Sequence, residues 1–205
     1  MENFTEENLI QNCPHCDLQS FAYKYPLEVT ENFVVVCDGH PLEEGHILII
    51  PKKHLSCVGE FSDIFYEEFI FLYQKYYQVL IKNYGVVASF EHGKIGQTVF
   101  HSHVHLLPFN GNIVDIIPEG ESFIHQIEGL KNLKQEFQQK GQYLFFSLSE
   151  RCFLVDTSLG KPRFFRDRFA NALGNSERGN WKNMHNNKEL MDIAQREIIS
   201  LMSKI

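Results

Sequence analysis

The chain has 205 residues, of which 43% are hydrophobic and 22% are charged, the composition of an ordinary globular protein with a sizeable core. The formal net charge of −7 argues against broad binding to nucleic acid, because such affinity comes from Lys and Arg side chains that neutralise phosphates. We expect no membrane-spanning segment and no signal peptide, since the apolar runs are short and residues 1–7 lack the basic and apolar regions of a signal peptide. Five cysteines, an odd number, do not indicate a disulfide framework, so we expect a cytoplasmic protein.

The first half of the chain predicts four strands and one long helix. Short β-branched runs at residues 32–38 and 46–51 flank a turn-rich stretch, which predicts two antiparallel strands joined by a loop. Helical spacing of apolar residues continues from Asp63 to Asn83, between Ser62 as the N-cap and Gly85 as the end. Two further strands are predicted at residues 86–91 and 99–107.

The second half predicts a mixture of helices and strands. The predicted elements are a helix over residues 127–139, strands at 142–147 and 152–156, a helix from Pro162 to about residue 173, and an amphipathic helix over 187–202. Glycine, proline and acidic residues cluster at 110–121, which makes this stretch the one candidate for a boundary.

Three histidines alternate in the run His101-Ser-His103-Val-His105. Alternate residues of a strand point to the same face, so a strand here would align three imidazoles. Such a row can bind a transition metal, or it can combine a nucleophilic histidine with groups that orient it and hold an anion. A merely polar strand is the third interpretation, which the apolar neighbours disfavour.

Two blocks of this sequence carry the histidines, His-Ile-Leu-Ile-Ile-Pro-Lys-Lys-His at 46–54 and Gly-Gln-Thr-Val-Phe-His-Ser-His-Val-His-Leu-Leu-Pro at 96–108. Together they resemble the histidine-triad (HIT) family of nucleotide-binding proteins. Their order and separation match the family, and His-x-His-x-His followed by two hydrophobic residues is its signature. The resemblance covers about residues 10–110, whereas the remainder is similar to the extensions of larger HIT relatives.

The resemblance implies an α+β fold of the HIT type, with helices packed on an antiparallel five-stranded sheet. Residues 1–110 would form the core with an N-terminal zinc-binding segment, and residues 111–205 would form an α/β extension packed on that core. Small members of the family pair through a strand and a helix, so we also expect a homodimer.

The activity that the resemblance implies is that of a nucleotide hydrolase or nucleotidyltransferase acting on phosphoanhydride or phosphoramidate bonds. By analogy, His103 attacks the α-phosphate and forms a covalent intermediate, and the carbonyl of His101 fixes its tautomer. His105 and His46 help to hold the phosphate charge, and Gln97 matches a position that contacts the phosphate. Neutral imidazole is a competent nucleophile near pH 7, which makes this assignment chemically reasonable.

Two further positions are implied to bind the nucleotide. Thr98 matches a residue beside the α-phosphate and the leaving-group oxygen. Asp38 lies eight residues before His46 and matches a carboxylate that accepts both ribose hydroxyls. The alternative is that Asp38 is a turn residue before Gly39. We expect a small nucleotide as the ligand, such as a dinucleoside polyphosphate or a nucleoside phosphoramidate.

Cys13 and Cys16 have the CxxC spacing that suits tetrahedral zinc, although one such pair supplies only half of the ligands. The resemblance implies that His54 and His101 are the other two, which would give a structural Zn²⁺ site. A redox pair is a competing interpretation, but no thioredoxin-like pattern surrounds the motif. A chance pair is the third interpretation, and His15 could replace one of the ligands.

Three features of the sequence are not explained by the HIT motifs. Glu91 lies where small HIT proteins often carry an amide near the leaving group, and an unpaired carboxylate there would repel phosphate. Arg163 and Arg166 share a helix face and could bind a polyphosphate, but we favour a solvated face with local pairing to Asp167. Trp181 is interpreted as a core or lid anchor.

Two other classes of function stay open. One is a nucleotide-binding or scaffold protein with little turnover, which an intact triad disfavours. The other is a structural zinc protein in which the triad serves the metal alone, and this interpretation leaves His46, His103 and His105 without a role.

Overall fold

A computed structural model describes residues 13–205, so the prediction about a signal peptide lies outside the described residues. Its framework is one antiparallel sheet with the strand order β1-β2-β3-β5-β4-β7-β8-β6. The strands are β1 (Pro26–Val29), β2 (Phe33–Cys37), β3 (Ile47–Pro51), β4 (Ala88–Gly93), β5 (Val104–Leu107), β6 (Ile124–Ile127), β7 (Tyr143–Leu148) and β8 (Arg151–Val155).

The first five strands form the predicted five-stranded unit, and the remaining three continue the same sheet. The junction is the pairing of β4 with β7, which runs from Ala88 opposite Leu148 to Gly93 opposite Tyr143. The three later strands are therefore joined to the five earlier ones by backbone hydrogen bonds within a single sheet. The α+β class is confirmed.

Between residues 13 and 205 the chain forms six α-helices: α1 (Asp63–Tyr84), α2 (Ile113–Ile116), α3 (Asn132–Lys140), α4 (Phe164–Ala172), α5 (Trp181–His185) and α6 (Lys188–Lys204). Both predicted ends of α1 are confirmed. The Phe65 backbone N–H donates to the Ser62 hydroxyl, and Gly85 adopts the left-handed conformation with φ of 82°. None of the helices between residues 13 and 205 is both long enough and apolar enough to cross a membrane.

Apolar side chains fill two layers, one on each face of the sheet. Helices α1 and α3 pack on one layer with α6, and α2 and α4 pack on the other. Every residue of β2 and β3 is buried, as expected for strands that are covered on both faces. The triad strand β5 lies beside β3 in the middle of this sheet, so its side chains are held in a rigid environment.

Some predicted bounds were wrong. The helix expected from residue 127 begins at residue 132, because the chain first forms β6 against β8. The strand expected over residues 99–107 contains only Val104–Leu107. The backbone N–H of Ser102 donates to the Leu55 carbonyl outside the sheet (2.6 Å), so His101 and His103 precede the strand.

Two phenylalanines of α1 allow a test of the packing. Phe69 is fully buried, whereas Phe71 is 64% exposed. We expect Phe69→Ala to lower the free energy of unfolding by about 3–5 kcal/mol, because it removes a large core side chain. Phe71→Ala should change it by less than about 0.5 kcal/mol. Urea denaturation followed by circular dichroism measures both, and equal losses would contradict this arrangement of the helix.

Candidate functional site

A chain of hydrogen bonds fixes the proton positions of two buried histidines. The Leu42 backbone N–H donates to Nδ1 of His46 (3.1 Å), so the proton of neutral His46 is assigned to Nε2. That nitrogen donates to Nδ1 of His105 (2.9 Å), which places the His105 proton on its own Nε2. Nε2 of His105 is buried without a partner among the described residues. This series of hydrogen bonds therefore ends at the Nε2–H of His105, which can donate to a ligand oxygen.

His103 has the complementary arrangement. Its Nδ1 donates to the carbonyl of His101 (2.6 Å), which leaves the lone pair of Nε2 available. Burial lowers the pKa of His103, so the imidazole is neutral near pH 7. A neutral imidazole held in one tautomer can act as a nucleophile.

One cavity opens beside these two histidines. Asp38, His40 and Arg166 also line it and provide polar groups. Its apolar lining comes from Phe21, Leu48, Val99 and Trp181. Apolar walls with a few placed polar groups are typical of a small-molecule site, and the aromatic rings suit a flat ligand.

Asp38 is buried and forms an ion pair with Arg166. Its Oδ2 accepts from Nη1 of Arg166 (2.8 Å), and its Oδ1 accepts from the backbone N–H of His40 (2.9 Å). Burial by itself raises the pKa of Asp38, but the Arg166 guanidinium, with smaller contributions from His46 and His40, holds that pKa below its ordinary value. Asp38 is therefore a carboxylate at neutral pH and accepts hydrogen bonds.

The solvated face that we favoured for the arginines of α4 is wrong for Arg166, which is only 6% exposed. The spacing of charges along a helix cannot show a partner that lies 128 positions earlier in the chain. Arg163 does pair locally with Asp167 (3.2 Å).

Gln97 and Thr98 precede residues 101–103, which form the loop before β5 and are called the triad loop, but the two side chains have different surroundings. The Gln97 side chain donates from Nε2 to the Ser56 carbonyl (2.6 Å), and its Oε1 is buried without a partner among the described residues. Thr98 lines the cavity, where its hydroxyl accepts from Nε1 of Trp181 (3.2 Å). Trp181 thus connects α5 to the loop before the triad.

The four predicted metal ligands come together. The ligand atoms of Cys13, Cys16, His54 and His101 all lie within 4.8 Å of one another. Nδ1 of His101 is 3.5 and 3.4 Å from the two sulfurs, and Nδ1 of His54 is 3.2 Å from Sγ of Cys16. Tetrahedral zinc, with bonds of roughly 2.0–2.3 Å, separates its ligand atoms by about 3.5 Å. The cluster therefore has the size and the donor atoms to hold a metal ion.

The orientation of His101 also suits a ligand. Its Nε2 donates to the Pro51 carbonyl (2.7 Å), which leaves the Nδ1 lone pair directed at the sulfurs. Metal-bound histidines typically donate their other ring N–H to a carbonyl or a carboxylate in this way.

A second group of potential ligands is already engaged. Asp38, His46 and His105 also lie close together, but Nδ1 of each histidine accepts a hydrogen bond and Asp38 pairs with Arg166. We therefore assign this group to hydrogen bonding and not to a metal.

Glu91 does not line the cavity. Its carboxylate is buried and accepts from the Val58 backbone N–H (3.0 Å), the Ser102 hydroxyl (2.8 Å) and the Tyr143 hydroxyl. Glu91 is therefore not an unpaired carboxylate facing a phosphate, because both of its oxygens accept hydrogen bonds away from the cavity. It fastens the triad loop to the loop that follows His54.

Three other residues were missed or only partly identified from the sequence. The ring of His15 packs against the ring of His103, with 4.9 Å between their centroids, and its position inside the CxxC motif was the available signal. Phe90 stacks on His105 at 4.1 Å between centroids, which nothing in the sequence indicated. His40 lines the cavity next to Gly39, a position that suggested only a turn.

Comparison with known proteins finds relatives in the HIT family. Residues 27–112 match the family model of the HIT domain. The chain is 33% identical over 108 residues to an uncharacterized HIT-like protein of Chlamydia trachomatis, covering 49% of this chain and 87% of that relative. It is 32% identical over 114 residues to one of Mycoplasma genitalium, covering 50% and 77%. A crystal structure of a HIT family member from Bacillus subtilis aligns with a TM-score of 0.44 at 21% identity, over 63% of this chain and 97% of that chain.

The chain therefore belongs to the HIT family. The matched domain contains the triad and ends at residue 112, before the helix that carries Arg166.

The buried carboxyl of Glu91 predicts a pH effect on stability. Burial raises the pKa of Glu91 to about 7, so between its ordinary pKa and about 7 the folded protein binds more protons there than the unfolded chain does. Rising pH then lowers the stability through this group. Glu91→Gln removes this titration. The free energy of unfolding of Glu91→Gln, relative to that of the wild type, should therefore rise by roughly 2–3 kcal/mol from about pH 5 to pH 8.

Urea denaturation at both pH values measures this difference. Glu128→Gln is the control, because the Glu128 side chain is 76% exposed and should show no comparable change. A constant difference between Glu91→Gln and the wild type at the two pH values would contradict the raised pKa.

Proposed function

We propose that this protein is a nucleotide hydrolase or nucleotidyltransferase that cleaves at the α-phosphate through a covalent nucleotidyl-histidine intermediate. The observation that carries the proposal is the pairing of two neutral histidines at one cavity. His103 offers a lone pair at Nε2, and His105 offers an N–H donor that has no partner among the described residues. A nucleophile beside a donor for an oxyanion is the arrangement that phosphoryl-group transfer requires.

In the first step, Nε2 of His103 attacks the α-phosphorus, and the bond to the leaving group breaks with its electron pair remaining on that group. The imidazole becomes positively charged, and the His101 carbonyl that accepts from Nδ1 stabilises this charge. The N–H of His105 donates to a phosphate oxygen as negative charge develops, an interaction worth about 10²–10³ in rate in comparable sites.

In the second step, water or another acceptor attacks the same phosphorus. The bond between phosphorus and Nε2 breaks, and the electron pair returns to His103 as a neutral lone pair. The acceptor loses a proton to solvent, and the product is a nucleoside monophosphate or its ester. Division into two displacements lowers the barrier of each.

Other residues of the cavity support a nucleotide as the ligand. Asp38 is a fixed carboxylate and suits the two hydroxyls of a ribose. The rings of Phe21 and Trp181 suit a base. Dinucleoside polyphosphates and nucleoside phosphoramidates both present the α-phosphate that this mechanism needs.

The Cys13, Cys16, His54 and His101 cluster supports a structural Zn²⁺ site. Two thiolates and two imidazoles would complete a closed tetrahedron, so the ion would hold the N-terminal segment to the triad loop and not act on the substrate. The expected homodimer stays a prediction. Strand β4 pairs with β5 on one side and with β7 on the other, so a second copy of the chain could not pair with β4.

The covalent step predicts a strong effect of His103→Ala. Rates of hydrolysis of a dinucleoside polyphosphate and of an adenosine phosphoramidate should fall by about 10³-fold or more, because the nucleophile is removed. Incubation with either substrate labelled in the adenylate should label the wild type at acid-labile, alkali-stable histidine, and should leave the variant unlabelled. His125→Ala is the matched control, because His125 is an exposed histidine of β6.

Binding of adenosine monophosphate without label and without turnover of either substrate would contradict the enzymatic proposal and favour a binding protein.

We expect metal binding and catalysis to depend on different residues. We expect purified protein to carry one zinc ion per chain, measured by inductively coupled plasma mass spectrometry. Cys16→Ser should lose most of the metal, since it removes one of four ligands. His103→Ala should retain it, and Cys152→Ser is the control at a cysteine outside the cluster. Loss of zinc in His103→Ala would show that the triad itself holds the metal.

A further inference from the structure

The part of the chain beyond the matched HIT domain reaches the cavity through one buried side chain. Arg166 of α4 lines the cavity, and every nitrogen of its guanidinium has an acceptor. Nη1 donates to Asp38, Nε to the Gly179 carbonyl (3.4 Å), and Nη2 to the carbonyls of His40 (2.7 Å) and Arg178 (3.3 Å). A planar guanidinium held at all three nitrogens has a fixed position and orientation.

This arrangement determines which lone pairs of Asp38 stay open. Each carboxylate oxygen can accept about two hydrogen bonds. Oδ2 accepts one from Arg166, and Oδ1 accepts one from the His40 backbone N–H. Nδ1 of His46 lies 3.5 Å from Oδ2 but is itself the acceptor for Leu42. One acceptor site per oxygen is left, which matches the two adjacent hydroxyls of a ribose.

Arg166 also removes an electrostatic conflict. The ligand of the proposed function is a phosphate ester, and an unpaired carboxylate in the same cavity would repel it. A buried carboxylate without a partner costs several kcal/mol, so it would take up a proton or turn away. A protonated carboxyl group loses acceptor sites. Without Arg166, Asp38 could no longer accept from both hydroxyls.

We propose that Arg166 is a positioning residue that keeps Asp38 charged and oriented toward the ribose, so that the preference of the site for ribonucleotides over 2′-deoxyribonucleotides depends on a side chain from residues 113–205. This inference rests on the proposed function. Asp38 lies inside the matched HIT domain and Arg166 lies outside it, so the extension would supply the group that holds the ribose-binding carboxylate in place.

The test measures binding of adenosine monophosphate and 2′-deoxyadenosine monophosphate by isothermal titration calorimetry. The wild type should bind the ribonucleotide roughly 10- to 100-fold more tightly, as expected for one hydrogen bond to a charged acceptor. In Arg166→Met this ratio should fall to about 1, because the open carboxylate sites are lost. Asp38→Asn should lower the ratio to a similar extent, and the double variant should lower it no further, since the two residues act as one unit.

Arg168→Met is the matched control. Arg168 is on the same helix and also pairs with a carboxylate, Glu119, but it does not line the cavity. Its ratio should equal that of the wild type. The ratio between two ligands does not change when a variant merely lowers the active fraction. If Arg166→Met does not fold, Arg166→Lys keeps the positive charge but not the planar group that donates from three nitrogens. The ratio of its affinities for the two nucleotides should lie between 1 and the wild-type value.

The possible failures are distinguishable. A wild-type ratio in Arg166→Met, or in Arg166→Lys where only that variant folds, overturns the role of Arg166 and leaves the proposed function intact. Equal binding of both nucleotides by the wild type overturns the ribose selectivity. A wild type that binds neither nucleotide overturns the proposed function and this inference together.

Discussion

The position of His101 is the constraint on which the candidate site depends. Its Nε2 donates to the Pro51 carbonyl at the end of β3, and its Nδ1 faces the sulfurs of Cys13 and Cys16 in the Cys/His cluster. Its own carbonyl accepts from Nδ1 of His103 and thereby fixes the tautomer of the candidate nucleophile. One residue therefore joins the sheet, the Cys/His cluster and the candidate nucleophile. A shift of His101 would change all three at once, which explains why Glu91 also fastens this loop through Ser102.

The proposed function puts an anion into the cavity of an acidic chain, and the groups available to bind it are neutral donors. Burial lowers the pKa of His46 to about 4 and lowers that of His105 well below its ordinary value, so both are uncharged near neutral pH. Arg166, the one arginine or lysine among residues 13–205 that lines the cavity, is balanced by Asp38. A phosphate would therefore be held by oriented N–H dipoles in a site of low dielectric constant. Such dipoles need no reorganisation when charge develops on the substrate.

Much of this could be predicted from the sequence, because the relevant signals are local. The cap at Ser62 and the β-branched runs of β2 and β3 depend on neighbouring residues, and the predicted elements are present. The full Cys/His cluster could be predicted only through a family resemblance, since Cys16 and His54 are 38 positions apart. Strand β1 was missed because it has four residues and no fully buried side chain, so no alternation marks it.

The ion pair of Asp38 with Arg166 shows where local reasoning stops. Sequence reasoning left two roles open for Asp38 and favoured a solvated face for Arg166, and neither inference involved the other residue. Their contact depends on α4 packing on the sheet through Phe165 and Phe169, which are buried against Phe90. That packing belongs to the part of the chain beyond residue 112, and it brings a cation to a carboxylate of the HIT domain. The extension thus contributes directly to the chemistry of the cavity as well as to the sheet.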